Sequence, residues 1–201
     1  FLISDLDAVH QGIELDFAVQ PNKYFRIDAA ASIGDWKNTN DAQVNWSSYD
    51  ENTQDSTFKV FTKDLKTGDA PQTQFAISGT VFPVKGLYLT LSMRHYSDMY
   101  ADWNVASRVD PDDRAQSWKT PSYNVFDLHV GYTLPTGPKY RIELFAHIFN
   151  LFNKMYIQDA TDNSQYNAYM GENDNNTHNA AAAEVFLGLP RWFNTGIQIS
   201  F

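Results

Sequence analysis

Cysteine is missing from all 201 residues of this chain. That excludes a disulfide framework and any thiolate metal centre. Long apolar runs are missing as well, so the roughly 18 uninterrupted residues of a membrane-crossing helix are not there. No positively charged start with an apolar core is visible, and the reading is that a secretory signal is absent or already removed. Positive charge is scarce: 15 Lys and Arg stand against 24 Asp and Glu, a net charge of −9. That balance argues against nucleic acid as a partner.

The charge deficit is local. Segments 35–72, 97–121 and 153–184 hold 17 acids and 8 bases, and the rest of the chain holds 7 of each. Outside those three segments the dominant signal is period-two alternation, the mark of a strand with two unlike faces. Ile13, Leu15, Phe17 and Val19 oppose Gly12, Glu14, Asp16, Ala18 and Gln20. After the turn signal Pro21-Asn22-Lys23, Phe25, Ile27, Ala29, Ala31 and Ile33 oppose Arg26, Asp28, Ala30, Ser32 and Gly34. On the polar face Arg26 is expected near Asp28 and, across the hairpin, near Asp16.

The same unit recurs. Thr73–Phe82 and Leu87–Tyr96 flank Pro83-Val84-Lys85-Gly86, and Tyr123–Leu134 and Tyr140–Phe149 flank Pro135-Thr136-Gly137-Pro138-Lys139. A last strand is expected across Glu184–Phe201, apolar at Val185, Leu187, Leu189, Phe193, Ile197, Ile199 and Phe201. Between these units lie the three acidic segments. The first carries a weak strand over Thr57–Thr62.

The expectation is seven long antiparallel strands running up and down. Short turns lie at one end and long loops at the other. Alternation alone fits a soluble sandwich equally well. The asymmetry of the ends favours an outer-membrane barrel, whose turns are short on one side and loops long on the other. Strand length agrees, since about 9–11 residues cross a bilayer whereas soluble strands average about 5–6. The predicted fold class is therefore all-β, an up-and-down transmembrane β-barrel segment with the greasy face toward lipid.

Two motifs carry a resemblance. Phe149-Asn150-Leu151-Phe152-Asn153-Lys154-Met155-Tyr156 resembles the penultimate-strand motif of TonB-dependent outer-membrane receptors, and Leu189-Pro190-Arg191 with the strand after it resembles that family's closing strand. Stretches 64–72 and 96–103 resemble the family's Bacteroidota branch. The ending Asn194-x-Gly196-x-x-Ile199-x-Phe201 resembles the C-terminal signal read by the barrel-assembly machinery.

The resemblance implies a 22-stranded barrel around an N-terminal plug, of which residues 1–201 would be the last third, without the plug. It implies a receptor for active uptake of a scarce nutrient: iron-siderophore, haem, cobalamin or oligosaccharide. The implied partners are outer-membrane lipid, the remaining strands and plug, TonB through the missing N-terminal part, the assembly machinery and a surface lipoprotein. No cofactor and no catalysis are expected. The implied location is the bacterial outer membrane, with loops extracellular and turns and C-terminus periplasmic. Two other readings stand beside it: a barrel client held by the assembly machinery through its last strand, and a soluble carbohydrate-binding β-domain.

Tyr96, Tyr100, Trp103, Trp118, Tyr166 and Tyr169, at or beyond the loop-side strand ends, are the candidate ligand contacts. Aromatics on loops can stack on siderophores or sugars, and the competing reading is an interfacial aromatic belt. His129 and His147 fall on polar faces of neighbouring strands and read as lumen side chains rather than a metal pair. Asp159, Asp162, Glu172 and Asp174 offer oxygen ligands for Ca²⁺ but match no EF-hand, so a solvated acidic loop is preferred. Ser97-Asp98 beside His95 invites a hydrolase reading that only geometry can support.

Overall fold

The structure is a computed structural model that describes residues 2–46, 56–137, 139–163 and 177–201. Among these, twelve strands form in chain order: β1 (Leu2–Ser4), β2 (Ala8–Asn22), β3 (Phe25–Asn38), β4 (Ala42–Trp46), β5 (Ser56–Val60), β6 (Thr73–Val81), β7 (Leu87–Ser97), β8 (Tyr123–Thr133), β9 (Arg141–Phe149), β10 (Ile157–Thr161), β11 (Glu184–Leu187) and β12 (Trp192–Ser200). Seven of them make one antiparallel sheet in the order β12-β9-β8-β7-β6-β3-β2. Each strand pairs only with its neighbours along this meander, as the alternation predicts.

The register keeps the faces consistent. Ala30 lies opposite Ala76 and Asp16, Ala76 opposite Arg94, Ser92 opposite Asp127, His129 opposite His147, and His147 opposite Asn194. All of these are on the polar face, so a one-residue slip anywhere would flip a strand's whole set. On the other face Ile13 and Ile197 are 69% and 66% exposed, and mid-sheet Leu91 is 48% exposed. A soluble sandwich would bury these residues. An exposed apolar face this broad fits lipid contact.

Tight turns close one end. At the first, Asn22 Oδ1 accepts from Tyr24 N at 2.8 Å, an Asx turn. At the second, Gly86 adopts a φ of +88°, and an added Cβ would meet Thr133 O at 2.5 Å. Only glycine suits that position. At the third, Thr136 Oγ1 donates to Tyr140 O.

Four details differ from the sequence reading. β2 and β3 continue to Ala8 and Asn38, past the Gly12–Gly34 pair, so this hairpin projects beyond a bilayer's span. The final stretch is two strands: Glu184–Leu187 pairs with β10, and only Trp192–Ser200 joins the large sheet. The break falls at Gly188-Leu189-Pro190-Arg191, where Pro190 has no N–H for a ladder. The expected Arg26–Asp28 ion pair forms, but Asp16 lies opposite Ala30 and reaches neither. The weak strand is Ser56–Val60 and belongs to a small β1-β4-β5 sheet.

The long connections are therefore folded where described. The most buried apolar residues lie here rather than in the wall: Ala42, Val44 and Val60 form a core covered by Phe58, Trp103 and Val105. A wall with lipid on one side and water on the other needs no core of its own, whereas loops standing in water do.

Candidate functional site at the loop end of the lumen face

β7 and β8 flank the second long loop, so their last and first residues face each other. Tyr96 pairs with Tyr123, ring centroids 5.2 Å apart. Tyr156 arrives from the far side of β9 and stacks on Tyr123 at 4.4 Å with a 26° interplanar angle. The three rings line one side of a cavity of about 510 Å³. Arg94, Asp69 and Asp159 line it as well. A wider hollow of about 650 Å³ runs along Asp28, Ser78 and His129 and is the concave wall itself.

Tyr156 is placed by the Phe149–Tyr156 motif. Asn150 leaves β9 with a left-handed φ of 51° and Asn153 follows at 52°, conformations that asparagine tolerates. The Asn150 side chain donates to Lys154 O (2.8 Å) and Leu189 O (3.0 Å) and accepts from Lys154 N. Asn153 Oδ1 accepts from Arg191 N at 2.9 Å. The motif thus ties the exit of β9 to the approach of β12. Asp127 on β8 completes it: one carboxylate oxygen accepts from Asn150 N at 2.9 Å, the other from Arg94. Gly188 seats the ring of Tyr156, since a Cβ there would lie 2.0 Å from the ring carbons. Burial first of all holds the Tyr156 hydroxyl above its ordinary value, so it stays a donor.

The carboxyls of Asp69 and Asp159 lie together, and both are held above the ordinary carboxylate value. Burial pushes Asp159 up, and its contact with Asp69 adds to this. For Asp69 the hydrogen bond from Asp159 works downward, but burial and the nearby Asp102 outweigh it and leave the group raised. Asp102 is fixed by backbone bonds to Ala160 O (2.8 Å) and from Asp162 N (2.7 Å), and it lies over Gly68.

Above the pocket a buried polar cluster joins the loops. Arg108 is 0% exposed. It donates to Ala115 O (2.7 Å), Ser117 Oγ (3.3 Å) and Asp162 Oδ2 (3.1 Å), and pairs with Asp113 at 3.5 Å. The imidazole of His178 bridges Asp113 through Nε2 at 2.8 Å and Asp162 through Nδ1. Burial opposes charge on His178, but the bonds to Asp162 and Asp113 prevail and hold its pKa above the ordinary value. Arg114 forms a bidentate pair with Asp41 at 2.7 and 3.2 Å and holds that carboxyl down to about 2. The first and second loops are thereby joined.

Of the aromatics expected at the site, Tyr96 lines the pocket. Trp103 packs on the loop core, Tyr100 bridges to Lys119, and Trp118 O accepts from Ala101 N at 2.8 Å. Tyr166 and Tyr169 lie outside the described residues. Tyr123 and Tyr156 are site residues that the sequence reading misses, although aromatics at the two strand ends bracketing one loop, Tyr96 and Tyr123, are a legible sign of a cross-strand pair. Asp159 and Asp162 do not converge on a cation: the first faces Asp69, the second Arg108 and His178. Glu172 and Asp174 also lie outside the described residues. No triad forms: His95 Nδ1 meets Asn124 Oδ1 at 2.8 Å, and Ser97 Oγ contacts Asp98 at 3.4 Å. In the ending motif Asn194 and Gly196 face the lumen, Ile199 faces outward, and Phe201 is 99% exposed.

A seven-strand meander with tight turns at one end and folded loops at the other narrows the comparison to membrane barrels. The family model described as TonB dependent receptor-like, beta-barrel, matches residues 6–151. The chain belongs to that family. TonB-dependent receptors are outer-membrane transport receptors rather than enzymes. Among solved structures, the chain is similar to the siderophore receptor PiuA of Acinetobacter baumannii, with 14% identity, a TM-score of 0.55, and coverage of 96% of this chain and 22% of that one. It is also similar to the ferric yersiniabactin uptake receptor FyuA of Yersinia pestis, with 16% identity, a TM-score of 0.51, and coverage of 96% and 23%. At such identity the likeness shows the fold. The chain spans less than a quarter of either receptor. No curated protein matches it in sequence.

Proposed function

We propose that this chain is the C-terminal section of the wall of a TonB-dependent receptor that takes up a scarce nutrient across the outer membrane. Its loops face the medium, and its turns and C-terminus face the periplasm. The pocket of Tyr96, Tyr123 and Tyr156 contacts the ligand on the lumen side. The observation that carries this reading is the meeting of three tyrosines from three strand ends on the water-facing side, at the end where the loops gather. Such a pocket falls within the size range of small-ligand sites, and Arg94, Gln74, Gln158 and the two aspartates line it beside the tyrosine rings.

Two open edges support the reading as a section. β2 and β12 each have one unpaired side among the described residues. Hydrocarbon cannot satisfy those backbone groups. Further strands, a plug and TonB are the partners this implies, and a surface lipoprotein over the loops is compatible with it. The last strand, ending in the exposed Phe201, is the part offered to the assembly machinery.

Residues 1–201 contain no cysteine. In the complete receptor, with any cysteine elsewhere replaced by serine, Asp112→Cys and Thr136→Cys are exposed to a membrane-impermeant maleimide on intact cells. Labelling at 112 and none at 136 is expected; the reverse overturns the orientation. In cells depending on this receptor for growth, Tyr123→Ala is expected to lower uptake about tenfold, the equivalent of about 1.4 kcal/mol of lost stacking. Unchanged uptake removes the pocket from the reading.

A further inference from the structure

The lumen wall carries a histidine pair outside the tyrosine pocket. His129 on β8 lies directly opposite His147 on β9, and their Nδ1 atoms are 2.9 Å apart. With the proton on Nδ1 of one ring, this contact is an N–H···N hydrogen bond to the other. If that proton moves to Nε2, two lone pairs are left at a spacing that one cation can bridge, with no net change in protonation.

The rings are held in place by their neighbours. Phe145 stacks on His147 at 5.3 Å and 29°, and Phe149 lies edge-on to His129 at 5.5 Å and 73°. Phe145 is itself seated over Gly196, where a Cβ would come within 2.4 Å of the ring, and Phe149 stacks on Trp192 at 4.1 Å. Thr90 and Asn194 continue the same row on either side, offering oxygen donors. Asp127, two residues from His129 on the same face, is neutralised by its ion pair with Arg94, so the two imidazoles are what would hold the ion.

We propose that His129 and His147 chelate a borderline divalent cation, with Cu²⁺ the best fit, at a site open to lumen water. The spacing selects the geometry. Two imidazole nitrogens about 2.0–2.1 Å from one ion are about 2.9 Å apart at a right angle and about 3.3 Å apart at a tetrahedral angle. A right angle suits the tetragonal coordination of Cu²⁺ or Ni²⁺, and Cu²⁺ binds nitrogen ligands more tightly. Two protein nitrogens leave the remaining positions to water or to a ligand in transit. No group of three or more His, Asp, Glu or Cys that could hold a metal gathers among the described residues, so this site differs from a closed structural centre.

The site rests on this face lining the lumen of an assembled barrel. The experiment takes the complete receptor in detergent, purified without a histidine tag, and adds one equivalent of Cu²⁺. Electron paramagnetic resonance of the wild type is expected to show coupling to two imidazole nitrogens. His129→Asn and His147→Asn should each weaken Cu²⁺ binding at least tenfold and reduce the coupling to one nitrogen. Asparagine keeps a hydrogen-bonding group in the row, which protects the fold. His95→Asn, on the outer face, should change nothing. A wild-type spectrum without two coupled nitrogens overturns the proposal, as does a two-nitrogen spectrum that survives either substitution. A receptor that does not migrate as a heat-modifiable barrel refutes the outer-membrane reading instead, so the two failures are distinguishable.

Discussion

Asparagine 150 concentrates several duties in one side chain. Its left-handed backbone suits few other residues, and its amide satisfies three backbone groups on two segments. Asn150→Ala forfeits both and is expected to cost about 2–4 kcal/mol, the sum of left-handed strain and unsatisfied buried partners. Asn150→Gly keeps the backbone and should cost less. Thermal loss of heat-modifiable mobility in the complete receptor measures both, and equal midpoints for the two variants would remove the backbone contribution. Gly188 acts on the pocket instead: Gly188→Val would displace Tyr156. The Asn150 motif was legible as a string of residues. Its meaning was not, because the partners Asp127, Leu189 and Arg191 lie 23, 39 and 38 positions from their Asn contacts.

The loops are elements in their own right, and their joints are ionic. His178 links Asp113 to Asp162, flanked by Arg108 and Asn163, with Arg114 next to Asp113 in sequence. Its pKa is raised on folding. The stabilisation is therefore complete below the unfolded value, near 6.5, and is lost as pH rises through the folded value. Tryptic cleavage after Arg114 or Lys119, corrected for the protease's own pH profile, is expected to accelerate toward alkaline pH in the wild type. His178→Gln should cleave fast at every pH, and a wild type with a flat corrected profile would refute the linkage. Asp162→Asn leaves Arg108 and His178 short of a counter-charge in a buried site and should loosen the loops at all pH values, by about 3–5 kcal/mol. Period-two patterns cannot reveal such joints. Acidic loop residues look alike in sequence, and Asp162 and Asp159, three apart, serve unrelated contacts.

As a whole the molecule is a curved sheet with its dry core displaced into the loops. The wall presents apolar side chains outward and has two unpaired edges among the described residues. Residues 1–201 expressed alone are accordingly expected to aggregate or remain unfolded, because open edges in lipid leave backbone groups unsatisfied and open edges in water recruit other chains. Semi-native electrophoresis checks this, and a heat-modifiable monomer from these residues would contradict it.

The sequence by itself determined the wall: number of strands, faces, turns and the end that bears the loops. Alternation is a local property, and a period of two converts directly into sidedness. Only the tertiary structure decided which residues meet. The stacking of Tyr156 on Tyr123, the bridge from His178 to two aspartates and the facing pair of histidines all depend on register and on long connections folding back. Those contacts join positions far apart in the chain, where no short-range pattern reaches.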